Sequence, residues 1–433
     1  MTCGCGDDDV KALALKINQS FYYGWMIVLM SGLAFFFSAP GQTYSISVFI
    51  NAYRHEFGYS STLISSGYSV ATTISGFLLL LMGKAVDRFG PRRMLMIAGI
   101  MLALTAFYNS LVSNIVMIFI GFFLLRYFGQ GSMTLIPNSL VPQWFEKKRA
   151  FAISLAGIGN LLATLTIPAF NLWLITRVGW RDAWQIWSLI LMAGFIPLVL
   201  LFVINRPEDI GLPMENGQDD DGVDIQASLL KMQRESFSLK QAVKTKAFWF
   251  IGLISTIPAM FTTGITFHFF SIMSLRGLVP EQAAIIIGLV AFPAFFMPFV
   301  ARLIIDRYPT KYVFFVTLVM VVMAMAWLAW GVTGMASAIL FILFYGAAIA
   351  VQGVALGVIW PNYYGRQYLG SIRGAATVFM VLGSALGPLP FGIGFDLTGG
   401  YTHVIVIMMV YTLACALLSL FINKPANPGL EDD

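Results

Sequence analysis

Twelve stretches of this chain stay apolar for roughly 20 residues, the length a helix needs to cross a bilayer. They run over 22–50, 62–82, 93–111, 114–141, 150–175, 183–204, 247–273, 283–304, 312–331, 336–359, 373–395 and 403–422. A closed barrel would instead show short alternating strands. The longest polar interval, 206–246, parts these runs six and six. The pattern predicts an all-α membrane protein with 12 transmembrane helices in two pseudosymmetric six-helix bundles. A tail over 1–20 precedes a first bundle over 21–205. A linker over 206–246 leads to a second bundle over 247–422 and a tail over 423–433. The linker, with its acidic cluster Asp219–Asp221, reads as flexible, and its "ASLLKMQ" suits a short surface helix. The first residues, "MTCGCGDDD", read as a disordered tail without the basic region of a signal peptide.

Composition agrees. The chain is 58% hydrophobic and 11% charged, with a mean hydropathy of +0.80. Soluble domains carry about a quarter charged residues. Placement of charge then sets orientation. With a cytoplasmic N-terminus, 21 of the 26 Lys and Arg fall on inner segments; four (Arg54, Arg177, Arg181, Arg276) fall outside, and Arg126 remains. Both termini are therefore expected in the cytoplasm, with the chain multi-pass in a plasma or inner membrane. The net charge of +5 is a topology signal and needs no nucleic acid to explain it. Three cysteines (Cys3, Cys5, Cys415) make no extracellular disulfide framework.

The two halves repeat one another. "GKAVDRFGPRR" follows the second run and "ARLIIDRYPTKY" the eighth, each placing Asp-Arg at a helix end. Arg149 and Arg373 open the fifth and eleventh runs. Each of these runs closes on a Gly-aromatic pair, Gly179-Trp180 or Gly400-Tyr401.

"GKAVDRFGPRR" resembles the signature loop of the major facilitator superfamily at every fixed position. The resemblance implies a cytoplasmic gate of Gly83, Asp87, Arg88, Arg92 and Arg93, echoed by Asp306 and Arg307. In physical terms Gly83 allows close helix ends, Asp87 can pair with a base or cap a helix, and the arginines can form inter-helix charge pairs. The second copy departs from the motif, with Arg302 where the family has Gly. "LLRYFGQGSM" looks like the superfamily's fourth-helix motif, with Arg126, Gly129 and Gly131. "PQWFEKKRAFAISLAGIG", "GWRDAW", "NRPEDIGLP" and "YYGRQYLGSIRGAATVFMVLGSALGP" are similar to the monocarboxylate-porter and oxalate/formate-antiporter branch. In the oxalate/formate members anion recognition is associated with an arginine in helix 8 and a lysine in helix 11. Neither is present here, which argues against a dicarboxylate. The fifth-helix antiporter motif is also absent; "GSALGPLPFG" in the eleventh run carries a related pattern suited to close packing.

Arg126 is a cation about half-way along an apolar run, at a cost of roughly 2.5 kcal/mol or more on insertion scales. The resemblance places helices 1, 4, 7 and 10 around a central cavity. On these helices lie Arg126 and Gln130, Gln42 and Tyr44 beside the breaking pair Pro40-Gly41, His268, and Tyr345 with Gln352. One cation, a few hydrogen-bonding groups and many aromatics suit a small organic monoanion. No Asp or Glu falls near mid-bilayer, so proton coupling would rest on His268, Asp87 or the substrate. A lone His in a helix such as His268 is more often a buried hydrogen-bond partner. The function expected is secondary transport of a small carboxylate by a monomer, with a coupling proton or an exchanged anion. Efflux of amphipathic or neutral compounds stands as an alternative, and a non-transporting sensor as a third. No nucleotide loop, metal-ligand cluster or catalytic constellation lies on an aqueous segment, so no enzyme activity, cofactor or metal is expected.

Overall fold

The apolar runs fold as helices whose ends are set by local chemistry. The structure, a computed structural model, describes residues 5–145, 148–212, 237–305, 307–365 and 369–425; the side chains of 5–10, Leu80, Asp87, 149–150, 369–371 and 373–374 also lie outside the description. Among the described residues, twelve helices are long and apolar enough to cross a membrane. In the first half they are Gly24–Phe57, Ser61–Val86, Pro91–Ser110, Ile115–Gln143, Phe151–Val178 and Trp180–Phe202. In the second they are Lys246–Leu275, Pro280–Ile305, Thr310–Gly331, Met335–Tyr364, Ala375–Thr398 and Thr402–Ser419. The Asn114 side chain accepts from the Met117 amide, and the Thr245 hydroxyl from the Phe248 amide, capping the fourth and seventh spans. Large apolar side chains such as Phe299, Leu303 and Phe421 stay exposed, as a lipid-facing surface requires.

Two departures from the sequence reading concern the tails and linker. Cys5–Asn18 is helical, which takes in residues 5–9 of the stretch expected to be disordered. Lys16 lies in its last turn, which suits the helix dipole, and Ala14 is fully buried. Of the linker, Pro207–Ile210 forms a short 3-10 turn and Leu239–Ala242 a short helix capped by Ser238. The Asp219–Asp221 cluster and "ASLLKMQ" lie outside the described residues.

The chain divides into two compact units, one of 1–58 with 70–219 and one of 59–69 with 220–433. In the first, Trp184 is a principal anchor: it stacks on Phe49 (centroids 4.1 Å apart) and donates to the Tyr53 hydroxyl at 2.9 Å. Such aromatic pairs contribute about 0.5–1.5 kcal/mol beyond area burial. A second buried chain runs from Trp187 Nε1 to Asn171 Oδ1 (2.7 Å) and from Asn171 Nδ2 to Ser45 Oγ (2.8 Å). It ties the fifth and sixth spans to the first and fixes the rotation of the residues around Ser45.

The second unit includes the beginning of the second span. The Asp396 carboxylate accepts from the Ser61 and Thr62 amides (3.2 and 2.7 Å), capping that helix from a distant helix end. Tyr68 packs on Phe267 (centroids 4.5 Å). The repeat seen in the sequence is visible here. Trp180 Nε1 donates to Glu56 at the end of the first span, and the Tyr401 hydroxyl donates to Ser271 near the end of the seventh. Each Gly-aromatic pair thus delivers a donor to the equivalent helix of its own unit.

Candidate functional site

Arg126 lies in a widened stretch of helix. The fourth span is α-helical to Leu124, π-helical over Leu125–Ser132, and α-helical again from Met133. A π segment leaves carbonyls without their usual i+4 amide, and side chains take up some of this capacity. The Ser132 hydroxyl donates to the Tyr127 carbonyl at 2.8 Å, and the Thr134 hydroxyl donates to the Gln130 and Gly131 carbonyls. Irregular backbone at membrane depth is tolerated where protein re-satisfies it.

The first span is also broken. Gly24–Phe37 ends in a 3-10 turn at Ala39–Gly41, and Thr43–Phe57 restarts the helix after Gln42, which is extended (φ −82°, ψ 147°). The two irregularities face each other. A Cβ on Gly41 would lie 2.6 Å from the Gly129 Cα, and one on Gly129 would lie 2.7 Å from the Gly41 Cα. No side chain fits between them. The contact brings Arg126 to the restart: its guanidinium donates to the Thr43 hydroxyl at 3.3 Å, and only 5% of the residue is exposed.

Several expected residues of the first unit therefore come together. Arg126 and Gln130 flank the Gly129 contact. The Gln42 amide donates to Ser38 Oγ at 3.0 Å, bracing the break. Tyr44, next to Thr43, is buried. The Gln130 Oε1 is buried with no hydrogen-bond partner among the described residues. Thr43 itself was missed in the sequence, although it lies between two named candidates at a helix start.

His268, Tyr345 and Gln352 belong to the second unit. His268 Nε2 is 3.0 Å from the Pro388 carbonyl and 3.1 Å from Ser65 Oγ, and Nδ1 is 3.3 Å from the Tyr401 hydroxyl. A carbonyl only accepts, so Nε2 carries a hydrogen. Through these contacts the ring links the second, seventh and eleventh spans. Ser65, Ser271 and Tyr401 were missed because their partners lie far away in sequence. Tyr345 shares a hydrogen bond with Thr262 at 2.6 Å and stacks on Phe341. Gln352 is fully buried, and neither amide atom has a partner among the described residues. An unpaired buried amide costs about 1–3 kcal/mol.

The expected gate residues are placed as follows. The Arg92 amide donates to Asn205 Oδ1 and its guanidinium to the Leu200 carbonyl, both at 2.8 Å. The Arg88 guanidinium lies over the Phe89 ring, 5.2 Å from its centre. Arg88, Arg93 and Arg307 are exposed. A Cβ on Gly83 would meet no described atom within 4 Å, while Gly90, at φ +84°, approaches Asn205 closely. The Asp87 side chain and Asp306 lie outside the described residues.

A family model described as the Major Facilitator Superfamily matches residues 25–388. The riboflavin transporter RibJ of Trypanosoma brucei brucei is 27% identical over 178 residues, 40% of this chain and 32% of that protein. Monocarboxylate transporter 13 of Bos taurus is 28% identical over 189 residues, 43% of this chain and 42% of that one. The matched region thus spans 32% and 42% of these two relatives. Among solved structures, a mutant of the nucleoside transporter NupG superposes with a TM-score of 0.68 at 15% identity, covering 93% of this chain and 100% of that one. That likeness extends to the fold.

Proposed function

The chain belongs to the Major Facilitator Superfamily, and on that premise we propose that it is a secondary active transporter of a small organic anion, a monocarboxylate, working by alternating access. The observation that carries this reading is the buried guanidinium of Arg126 at the contact between two interrupted helices. A cation held at that depth by a π segment, a helix break and a glycine contact is a substantial structural commitment. A carboxylate is the partner that a planar, permanently charged fork engages most strongly. Gln130 Oε1 beside it offers an acceptor for a substrate hydroxyl or acid proton. The partial match to monocarboxylate transporter 13 supports the same class. Coupling would come from a proton or an exchanged anion. The proposed setting is a plasma or inner membrane, with both termini in the cytoplasm and Gly83, Asp87, Arg88, Arg92, Arg93, Asp306 and Arg307 at the inner gate.

A second reading, transport of a larger neutral or amphipathic compound, draws on Gln352, whose buried amide suits a neutral hydrogen-bonding ligand. The partial match to a riboflavin transporter fits it. A thermal-shift screen of the purified protein against small monocarboxylates and neutral heterocycles separates the two, since a ligand stabilises the fold it binds in proportion to occupancy. Stabilisation by carboxylates that disappears in Arg126→Gln supports the first reading. Stabilisation by neutral compounds alone, lost in Gln352→Leu, supports the second.

A further inference from the structure

Away from Arg126, the first unit holds a cavity of about 710 Å³ whose described lining includes four arginines (Arg88, Arg92, Arg93, Arg206) and one acid, Asp209. Three spans end around it: the second stops at Val86, the third starts at Pro91 and the sixth stops at Phe202. It therefore sits where apolar helix gives way to polar chain, the level of lipid headgroups. Gln143 and Asn205 add polar groups to the lining, and Val86, Phe89, Met96, Val199 and Leu200 form its apolar part. Phe89 and Leu200 are 48% and 43% exposed.

The cavity is built by short-range structure. Gly90 turns the chain at φ +84°, and Asn205 Oδ1 accepts the Arg92 amide there. The Arg92 guanidinium is drawn to the Leu200 carbonyl, which joins the third span to the sixth. Arg206 stands just before the Pro207–Ile210 turn, where its amide donates to Asp209 Oδ2 at 3.2 Å. Asp209 is thus partly occupied with backbone, while the Arg88, Arg93 and Arg206 side chains stay exposed. The third span begins at Pro91, so the positive end of its dipole opens on the same space.

We propose that this cavity is a binding site for the phosphate headgroup of an anionic phospholipid. Guanidinium forks match phosphate oxygens in pairs. Basic pockets between transmembrane helices at the interface favour such headgroups. The exposed apolar wall distinguishes a lipid from a free anion: Phe89 and Leu200 offer a surface to glycerol and acyl carbons that inorganic phosphate would leave unused. The site lies within one unit and is separate from Arg126. A bound lipid would brace the loop between the second and third spans against the end of the sixth.

The test titrates the detergent-purified full chain with dioctanoyl phosphatidylglycerol, dioctanoyl phosphatidylcholine and inorganic phosphate at constant ionic strength, reading the melting temperature. Phosphatidylglycerol should stabilise saturably, with little response to the other two. Each arginine near a membrane surface is worth about fivefold in affinity. Arg206→Gln should therefore weaken half-saturation about fivefold, and Arg93→Gln with Arg206→Gln about 25-fold. Equal stabilisation by phosphatidylcholine, equal binding of inorganic phosphate, or unchanged phosphatidylglycerol affinity in Arg206→Gln would each overturn the proposal. If the double variant does not fold, the single variant and the three wild-type titrations decide alone.

Discussion

Gly41 and Gly129 meet main chain to main chain, so the break in the first span and the π segment of the fourth are held as one joint. Arg126 extends from that joint to Thr43. The position of the guanidinium is therefore a property of two backbones, beyond a choice of rotamer.

Gly129→Ala should disturb the joint directly. The added methyl meets backbone, which cannot rotate aside, and overpacking of this kind costs about 1–3 kcal/mol. A lowered melting temperature is expected, with impaired uptake. Gly353→Ala, where the methyl meets no described atom, should change the melting temperature little and serves as the control.

Asp396→Asn should weaken the start of the second span. Two amides, those of Ser61 and Thr62, now share one carboxylate. The asparagine keeps an acceptor and loses the charge that complements the helix dipole, a change of about 0.3–1 kcal/mol. Asp396→Ala, which removes the acceptor too, should cost about 1–2 kcal/mol, in the range of lost helix caps. Denaturation of the two variants side by side gives the order; equal stability of Asp396→Ala and wild type would show that the cap contributes nothing.

His268→Phe should destabilise more than His268→Gln. Phenylalanine keeps the ring against Phe391 and Tyr401 but strips partners from Ser65 and the Pro388 carbonyl. Leaving such groups buried and unpaired costs about 1–3 kcal/mol each. Glutamine retains a donor and an acceptor. Paired melting curves test the ranking, and the reverse order would mean that packing outweighs hydrogen bonding at this ring.

Continuous apolar runs make all twelve spans legible because each span satisfies its own backbone locally. The break in the first span was visible as Pro40-Gly41, and the burial of Arg126 followed from its flanks. Other features were hidden for specific reasons. The π segment depends on a shift of hydrogen-bond register that no residue type marks; Gly129 and Gly131 hint only at close packing. Ser65 and Tyr68 look like ordinary residues of the second span, and their partners His268 and Phe267 are some 200 positions away. The Cys5–Asn18 helix was hidden by its low hydrophobicity, since its short apolar face needed a neighbour to bury Ala14.

The most direct test of the central claim is monocarboxylate uptake into proteoliposomes by wild type, Arg126→Lys and Arg126→Gln, matched for inserted protein. Lysine keeps the charge and loses the fork, so uptake should be weakened but present. Glutamine removes the charge, and uptake should fall to the level of empty liposomes. Wild-type uptake by Arg126→Gln would contradict the assignment of this buried cation as the anion partner.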